Sequence, residues 1–329
     1  MKLLVLGGTD FVGRTAVEHA LALEWDVTVL NRGGTPPNPR VTALRGDRLA
    51  TDGLEALRDE HWDMVFDTWS SDPTAVERSV AQLADRVQSY IYVSSRSVYD
   101  APAAGACESW PTVTGFGSDY ARQKAAGERA VVHALGDRAL LIRAGLILGP
   151  YENIGRLPWW LMRIECAGDV LAPGPADLPL QYIDARDLVD WSLDAAARGL
   201  AGPYDVVSRP GHATMGEVLQ ACITATGSDA RLRWVEPDVL LDAGVKPWTE
   251  LPIWIPPGAD HDSLHGSDVS KAFAQGLRAR PIEETVADTW TWLQTLGSEA
   301  STRKDRPNVG LSADREAAIL ADVERANGR

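Results

Sequence analysis

The first 150 residues alternate short apolar runs with longer stretches in which apolar residues recur at helical spacing. Several short runs are apolar at every position, which is typical of strands covered by helices on both faces of a parallel sheet. The predicted strands are Lys2–Leu6, Asp26–Leu30, Val41–Leu44, Met64–Asp67, Tyr90–Ser94 and Ala139–Arg143. The predicted helices are near Val12–Leu23, Leu54–Asp59, Thr74–Val87 and Asp119–Leu135. This alternation predicts an α/β fold with a Rossmann-type, doubly wound parallel sheet.

Beyond residue 150, proline and glycine divide the chain into short pieces. Tryptophans concentrate there, among them Trp159, Trp160, Trp234, Trp248 and Trp254. We expect residues 1–150, with some later segments, to form the sheet domain. Residues 151–297 are expected to form mainly a smaller C-terminal lobe over the carboxyl ends of the strands, where open α/β sheets bind ligands. Residues 298–329 are predicted to be a polar tail in which Ser312 caps a short charged helix that ends near Ala326.

The composition is that of a soluble globular protein, with 45% apolar and 24% charged residues in a chain of 329. It excludes disorder and fibrous repeats, and no apolar run approaches the ~18 residues that a membrane span needs. The apolar start of the chain runs straight into Gly7 without a signal-peptide cleavage site. We therefore expect this segment to be the first strand and the protein to be cytoplasmic.

The charge balance also limits the possible partners. Lys and Arg number 32 against 46 Asp and Glu, a formal net charge of −14, which repels phosphate backbones and acidic membranes. We expect neither nucleic acid nor a membrane as partner, although a local basic pocket for one phosphorylated cofactor is compatible with this charge. The cysteines Cys107, Cys166 and Cys222 are far apart and form no CxxC pair, and the histidines form no HExxH motif, so no metal site or disulfide framework is predicted.

A glycine-containing loop follows the first predicted strand and opens into a helix. Such a loop makes a tight turn, lets the backbone approach a pyrophosphate, and aims a helix N-terminus at the phosphates. The residues expected to contact a cofactor here are Gly7, Thr9, Asp10, Phe11, Val12 and Gly13. Asp10 occupies the position of the usual second glycine, where its carboxylate should repel a pyrophosphate, although Asp also suits a helix start. The domain of residues 1–150 is thus predicted to bind a dinucleotide.

The end of the second strand bears on which dinucleotide binds. An NAD-specific site usually has an acidic residue there, to hold the ribose 2′-hydroxyl, but this chain has Asn31 and Arg32. Asn31 does not repel a 2′-phosphate, and Arg32 can pair with one while stacking on the adenine. We therefore expect the protein to bind NADP(H) in preference to NAD(H), with NAD(H) as the alternative cofactor. Asp47 is expected near the adenine, and Thr68 beside the cofactor.

Tyr120 and Lys124 are four residues apart, and hence on one face of a helix. A phenol with an ordinary pKa of about 10 is a poor acid or base at neutral pH unless that pKa falls. A lysine ammonium one turn away favours the phenolate and can hold the nicotinamide ribose hydroxyls. A serine from the hydroxyl-rich segment 94–99 can then hold and polarise the substrate oxygen.

With these motifs in place, the chain resembles an extended short-chain dehydrogenase/reductase of the NAD(P)-dependent epimerase/dehydratase family, over most of residues 1 to about 297. The matching segments are Gly7–Gly13, Val93–Tyr99, Tyr120–Lys124, Arg143–Pro150, Tyr182–Leu188 and Asp268–Trp292. The resemblance implies that Tyr120 is the general acid/base and Lys124 its pKa-lowering, ribose-binding partner. It implies that Ser95 polarises the substrate. It also implies a possible homodimer through the helices Thr74–Val87 and Asp119–Leu135.

Departures from the family pattern narrow the expected reaction. Sugar-nucleotide dehydratases carry an Asp-Glu pair where this chain has Arg96 and Ser97, and epimerases commonly carry a diphosphate-binding arginine where it has Leu180. The chain looks most like a reductase-like branch, in which an NADP(H)-dependent enzyme reduces a carbonyl of a small-molecule substrate and Tyr120 gives the proton. An NAD-dependent sugar-nucleotide epimerase is the alternative. A non-catalytic cofactor-sensing or RNA-binding relative is a third, although such relatives often lose the tyrosine-lysine pair.

Residues just past the sixth strand are the candidates for substrate contact. With those nearer the strand ends, they are Arg96, Leu146, Arg156, Trp159 and Trp160. Ordinary packing of the lobe explains the two tryptophans equally well. Trp248 and Trp254 suggest an apolar lid, with core or oligomer packing the safer interpretation.

Overall fold

The strands and helices are those of residues 1–33, 38–115, 117–296 and 309–327, which the computed structural model describes. The strands are β1 (Lys2–Leu6), β2 (Asp26–Asn31), β3 (Thr42–Arg45), β4 (Trp62–Asp67), β5 (Val87–Ser95), β6 (Ala139–Ala144), β7 (Leu146–Leu148), β8 (Asp169–Pro173), β9 (Pro179–Leu180), β10 (Tyr182–Asp184), β11 (Gly202–Val206), β12 (Ala213–Thr214) and β13 (Arg231–Val235). The α-helices are α1 (Phe11–Ala22), α2 (Thr74–Leu83), α3 (Tyr120–Leu135), α4 (Arg156–Glu165), α5 (Ala185–Ala197), α6 (Met215–Thr226), α7 (Pro237–Asp242), α8 (Ala259–His265), α9 (Ser270–Ala274), α10 (Ile282–Leu296) and α11 (Ala313–Asn327).

Seven parallel strands form the central sheet in the order β11-β6-β5-β4-β1-β2-β3. Helices α1 and α5 pack on one face, and α2 and α3 pack on the other. The predicted doubly wound Rossmann-type fold is confirmed. The strand order reverses between β1 and β4, so the loops after these two strands diverge and leave a crevice at their carboxyl ends.

Strand β1 lies at the centre of this arrangement. Successive side chains of a strand point to opposite faces, so Leu3 and Val5 join the core under α1 while Leu4 and Leu6 join the core under α2 and α3. All four are at most 1% exposed, which is why this segment is apolar at every position. The glycine loop after β1 therefore leaves the sheet from a fixed point.

Two predicted helices differ from the structure. The segment Leu54–Asp59 forms only a 3₁₀ turn at Glu55–Leu57, because six residues are too few to stabilise an isolated α-helix. Helix α2 ends at Leu83 rather than Val87, where β5 already begins and pairs with β4. The other predicted elements of the sheet agree with the structure to within a few residues.

The C-terminal lobe contains three two-stranded sheets, β7 with β10, β9 with β12, and β8 with β13. Helices α4, α6 and α10 pack against one another beneath them. The chain returns to the central sheet at β11, which lies at its edge beside β6. Among the described helices, none is both long and apolar enough to span a bilayer.

The predicted terminal helix is present as α11, and it is docked on the lobe. Its Glu316 is 4% exposed and accepts hydrogen bonds from the Arg163 guanidinium at 2.5 Å and from the Leu171 amide at 2.9 Å. Ser312 precedes the helix, and its hydroxyl accepts a bond of 3.4 Å from the Arg315 amide. The polar segment predicted at residues 301–307 lies outside the described residues.

Candidate active site

Three glycines, Gly7, Gly8 and Gly13, let the loop after β1 pack closely against its neighbours. A Cβ atom on Gly13 would lie 2.8 Å from the Gly8 amide nitrogen, and one on Gly8 would lie 2.8 Å from the Val29 methyl carbons in β2. Gly7 has a φ of +122°, and its carbonyl accepts the Thr9 N–H at 2.7 Å. These positions require glycine, because the loop packs closely against the first turn of α1 and against β2. Such a tight loop at a helix start fits a dinucleotide diphosphate.

Asp10 is the N-cap residue of α1, but its exposed side chain makes no capping hydrogen bond to the helix. The amide groups of the first turn are therefore not occupied by a side-chain cap, which suits an anionic ligand. Phe11 follows with a φ of +37°, a conformation that is unusual for a residue other than glycine. The Asp10 carboxylate lies at the helix end where a diphosphate would sit, and it is the one residue of the loop that opposes an anion.

The end of β2 is shaped for the adenosine end of such a cofactor. The Asn31 side-chain oxygen accepts the Gly33 N–H at 2.8 Å, which holds the turn and leaves Arg32 exposed. Arg45 of β3 packs against Gly33, where a Cβ would lie 3.2 Å from its Nε. Asp47, which follows β3, is exposed and accepts the Leu49 N–H at 3.0 Å. Two cationic side chains thus flank this turn, of which the sequence prediction identified only Arg32.

A cavity of about 480 Å³ lies where the carboxyl ends of β1, β4, β5 and β6 meet. The predicted site residues that line it are Phe11, Val12, Thr68, Ser95, Arg96, Tyr120, Lys124, Leu146 and Arg156. The other predicted cofactor residues lie outside its lining, at or just after the carboxyl ends of β1, β2 and β3 and in the first turn of α1: Gly7, Thr9, Asp10, Gly13, Asn31, Arg32 and Asp47. The residues that line the cavity could thus surround a substrate, and those near the ends of β1, β2 and β3 could contact an extended cofactor.

Other lining residues were not among the predicted site residues. Ser70 follows β4 by three residues and Ser94 is the penultimate residue of β5, so their position near the carboxyl end of a strand is a signal that the sequence offers. Trp248, Ser263 and Leu264 come from the lobe, more than 100 residues away along the chain from Tyr120. Only the fold brings them to the cavity.

Lys124 is buried between two strand ends. It is 2% exposed, and its ammonium donates to the Val93 carbonyl oxygen at 2.5 Å and to the carbonyl oxygen of Trp69. It also lies 4.8 Å from the centre of the Tyr92 ring. Tyr120, one turn earlier in α3, is 38% exposed at the cavity. The structure therefore places the phenol beside the space for a substrate and the lysine beneath it.

Helix α3 is fixed to the sheet by contacts further along it. A Cβ on Gly127 would lie 2.4 Å from the Tyr92 hydroxyl, so only glycine lets α3 approach β5 this closely. Glu128 pairs with Arg143 of β6 through bonds of 2.8 and 3.0 Å, and both side chains are buried. The position of Tyr120 relative to the strand ends is thus set by packing and by one buried ion pair.

Ser95 ends β5 and caps the 3₁₀ turn Arg96–Val98. Its Oγ accepts the Ser97 N–H at 3.1 Å and lies 3.1 Å from the Ser97 hydroxyl. It is half-buried in the cavity wall, on the lining that also carries Tyr120. A hydroxyl held in this way can donate its proton toward a substrate oxygen.

Arg96 lines the cavity, but its guanidinium is turned into the protein. It donates to the Leu264 and Ser263 carbonyl oxygens at 2.7 and 3.0 Å, and its Nε lies 3.6 Å from Asp205. Burial raises the pKa of Asp205 to about 7 and lowers that of Arg96. Arg96 thus ties the end of β5 to α8 and forms part of the cavity wall, and its predicted contact with substrate stays a prediction.

The two adjacent tryptophans of α4 do not line the cavity. Trp160 is fully buried and donates to the Pro252 carbonyl oxygen at 2.7 Å, while Trp159 packs edge-on against it with ring centres 4.6 Å apart. The predicted substrate contact is corrected, because this face of α4 is turned toward the lobe core. Arg156 does line the cavity, and its guanidinium carbon lies 4.4 Å from the centre of the Trp248 ring.

Comparisons with known proteins agree with this geometry. Residues 3–207 match the NAD-dependent epimerase/dehydratase family. Similar structures include Thermus thermophilus UDP-glucose 4-epimerase with NAD (21% identity, 91% of this chain and 100% of that one, TM-score 0.65). Bacillus cereus UDP-glucuronic acid 4-epimerase with NAD (16%, 92% and 100%, 0.65) and Bacillus anthracis dTDP-glucose 4,6-dehydratase with NAD (14%, 90% and 97%, 0.65) are others. No curated protein matches the chain by sequence. At these identities the structural likeness concerns the fold.

Proposed function

The chain belongs to the NAD-dependent epimerase/dehydratase family, and we propose that it is an NAD(P)-dependent epimerase that inverts a secondary alcohol of a small molecule. The observation that carries the proposal is the convergence of Ser95, Tyr120 and Lys124 on one cavity that Phe11, from the glycine loop, also lines. Epimerisation takes precedence over the predicted net carbonyl reduction because two of the similar enzymes named above are epimerases that hold NAD. The predicted enzyme class, an NAD(P)-dependent member of this family, is confirmed.

The residues present fit a dinucleotide. The glycine loop and the first turn of α1 would hold its diphosphate, and Lys124 and Thr68, which line the cavity, would hold its nicotinamide half. When bound, the nicotinamide supplies reversible hydride acceptance. Dehydration of the substrate is not part of the proposal, because Arg96 and Ser97 occupy the places of the acidic pair that dehydratases use.

The chemistry of the chain itself is proton transfer. Tyr120 takes the proton from the substrate hydroxyl as the carbon is oxidised to a ketone, and it returns that proton after the carbon is reduced on its other face. Lys124 stabilises the phenolate through its positive charge. The Ser95 hydroxyl donates a hydrogen bond to the substrate oxygen and keeps it at the phenol.

A purified sample distinguishes epimerisation from net reduction. The protein is denatured and the released cofactor identified, and pairs of hydroxyl stereoisomers are then followed by NMR in D₂O. An epimerase interconverts a pair with no net use of coenzyme, and because hydride returns to the same carbon, the product carries no solvent deuterium there. Net oxidation of added NADPH would instead establish a reductase. If the protein shows neither epimerisation nor reduction on a broad panel of alcohols and ketones, the proposal is wrong.

The predicted NADP(H)-dependent reductase remains a second candidate, favoured by the turn after β2. No acidic side chain ends β2, and Arg32 and Arg45 flank the turn where a 2′-phosphate would lie. Such charges attract the 2′-phosphate that distinguishes NADPH from NADH.

Arg32→Ala is expected to weaken NADPH binding about fivefold and to leave NADH binding unchanged, because one exposed ion pair contributes about 1 kcal/mol. Fluorescence titration with each coenzyme measures both affinities. Arg58→Ala, an exposed arginine outside the predicted cofactor path, is the matched control. Equal losses for NADPH and NADH would show that Arg32 binds a part that the two coenzymes share.

We also propose a homodimer through α2 and α3. These helices pack together on one face of the sheet, and Val132 of α3 is 46% exposed there, as an interface residue would be in an isolated chain. The molar mass in solution, measured by light scattering, tests this. Val132→Glu should convert a dimer to a monomer, and a monomeric wild type would refute the proposal.

A further inference from the structure

One buried carboxylate touches both ends of the turn that Ser95 caps. Asp205, in β11 at the edge of the central sheet, is fully buried. Its Oδ1 accepts the Tyr99 hydroxyl at 2.6 Å, and its Oδ2 lies 3.6 Å from the Arg96 Nε. Arg96 begins the 3₁₀ turn Arg96–Val98, and Tyr99 directly follows that turn. A single side chain from the sheet therefore brackets the turn that holds the Ser95 hydroxyl.

The contacts of Asp205 continue across the sheet to the helix that carries Tyr120. Asp205 of β11 and Arg143 of β6 are register partners, and side chains at one level of two paired strands lie on the same face. On that face the Arg143 guanidinium carbon lies 4.9 Å from the centre of the Tyr99 ring, and the guanidinium pairs with Glu128 of α3. The serine turn and the tyrosine helix are thus joined through one buried network.

A carboxylate at this position is costly to the fold. Taking a charge out of water is unfavourable, and burial raises the pKa of Asp205 to about 7. The two terminal nitrogens of Arg96 already donate to the Leu264 and Ser263 carbonyl oxygens. Buried ion pairs often add little stability compared with apolar replacements, and their best attested use is to fix one arrangement of packed segments. The anion at Asp205 is therefore expected to serve the geometry of the turn.

The surroundings of Asp205 bear on what changes charge near neutral pH. The charged and titratable groups that face Asp205 or its immediate neighbours are Arg96, Tyr99, Glu108, Arg143, His265 and Lys271. Glu108 accepts the Asp205 N–H at 2.8 Å. Burial lowers the pKa of His265 to about 3 and raises the pKa of Tyr99 far above neutrality, so both stay uncharged near pH 7. A titration of the turn near pH 7 is therefore assigned to Asp205.

We propose that Asp205 is a positioning residue: through Arg96 and Tyr99, its carboxylate holds the turn in the form that keeps the Ser95 hydroxyl at the substrate oxygen. This inference rests on the proposed function, and it adds a residue that does not line the described cavity. The anion attracts the guanidinium and accepts the tyrosine hydroxyl, so both ends of the turn are held. When the carboxyl takes up a proton, the attraction to Arg96 is lost and the turn is held less firmly.

Asp205→Asn tests this role because it keeps the shape and an acceptor for Tyr99 but removes the charge. With any substrate that the wild type turns over, kcat at about pH 8 should fall about tenfold while KM and cofactor affinity stay within about twofold, because the Ser95 hydroxyl acts in the transition state. Below about pH 6 the two proteins should have similar kcat, since the protonated carboxyl carries the same charge as the amide. A loss that is equal at every pH would show a packing effect and overturn the proposal.

A double-mutant cycle shows whether the effect passes through Ser95. In the Ser95→Ala background, Asp205→Asn should lower kcat by less than about twofold, because the group that it positions is already absent. Additive losses would show that Asp205 acts elsewhere, and the proposal would be wrong. Asp169→Asn removes a carboxylate that pairs with Arg231 in the lobe, away from the described cavity lining. As the matched control, it should leave kcat within about twofold at each pH, and thermal unfolding confirms that each variant is folded.

The NMR signal of the Ser97 amide separates failure of this inference from failure of the proposed function. The Ser97 N–H donates to the Ser95 Oγ at 3.1 Å, so its chemical shift reports on the turn without any substrate. In the wild type the shift should titrate with a midpoint near pH 7, and Asp205→Asn should remove that titration. An active enzyme whose Ser97 amide does not titrate would refute the inference and leave the function standing. The titration in a protein without oxidoreductase activity would refute the function and leave the assignment of Asp205 to the turn standing.

Discussion

Replacement of Tyr120 by phenylalanine is expected to lower kcat about 1,000-fold, within the usual contribution of a positioned acid/base. The change removes one hydroxyl from a side chain that is 38% exposed at the cavity, and the ring keeps its place at the start of α3. Cofactor affinity and the thermal unfolding temperature should stay unchanged. The measurement is the rate of isomer conversion, or of NADPH oxidation, with any substrate that the wild type turns over.

Tyr204→Phe is the matched control for this loss. Tyr204 lies in β11 and packs edge-on against Trp191, with ring centres 5.1 Å apart, and it does not line the described cavity. We expect its kcat to stay within about twofold of the wild type, as is usual away from an active site. If Tyr120→Phe keeps more than a tenth of kcat, another group carries the proton and the assignment of Tyr120 fails.

The part of the site that could be predicted from sequence depends on local spacing. Tyr120 and Lys124 lie on one helix face whatever the tertiary structure. Gly7 directly follows a strand and Gly13 lies in the first turn of the next helix, and both elements have strong patterns. The sheet could be predicted for a related reason. Strands buried on both faces must be apolar at every position, and the structure covers β1 in that way.

The part of the site that could not be predicted from sequence depends on contacts between segments that are distant along the chain. Trp159 and Trp160 belong to an amphipathic helix, and the sequence does not show which face turns to the cavity and which to the core. Arg96 follows a predicted catalytic serine, yet its guanidinium is captured by carbonyl oxygens more than 160 residues away. Trp248 reaches the cavity only because the lobe folds over the strand ends.

Asp10 connects cofactor retention to the choice between the two reactions. An epimerase benefits from a cofactor that never leaves, because the hydride returns to the same substrate. A reductase has to exchange its oxidised coenzyme after every turnover. A carboxylate at the N-terminus of α1 opposes the diphosphate and therefore favours exchange. The affinity of this loop is thus a test of the reaction type as well as of the binding mode.

Asp10→Gly is expected to tighten NAD(H) and NADP(H) binding alike, by about 5- to 30-fold. Like charges about 4 Å apart repel by ~1 kcal/mol in water and by more inside a protein, and a factor of ten in affinity corresponds to 1.4 kcal/mol. The free energy of unfolding should change by only a few tenths of a kcal/mol, since the Asp10 side chain makes no capping bond and glycine is tolerated at an N-cap.

Two further variants make this result specific. Asp10→Asn removes the charge and keeps the size, so it should recover most of the gain if repulsion is the cause. Asp26→Asn, an exposed carboxyl at the start of β2 and so at the opposite end of the sheet from the glycine loop, should change neither affinity. Titrations at low and high salt should show the advantage of Asp10→Gly shrinking as salt screens the repulsion. If Asp10→Gly instead weakens binding, the carboxylate contributes to holding the cofactor, and the case for an exchangeable coenzyme loses its main support.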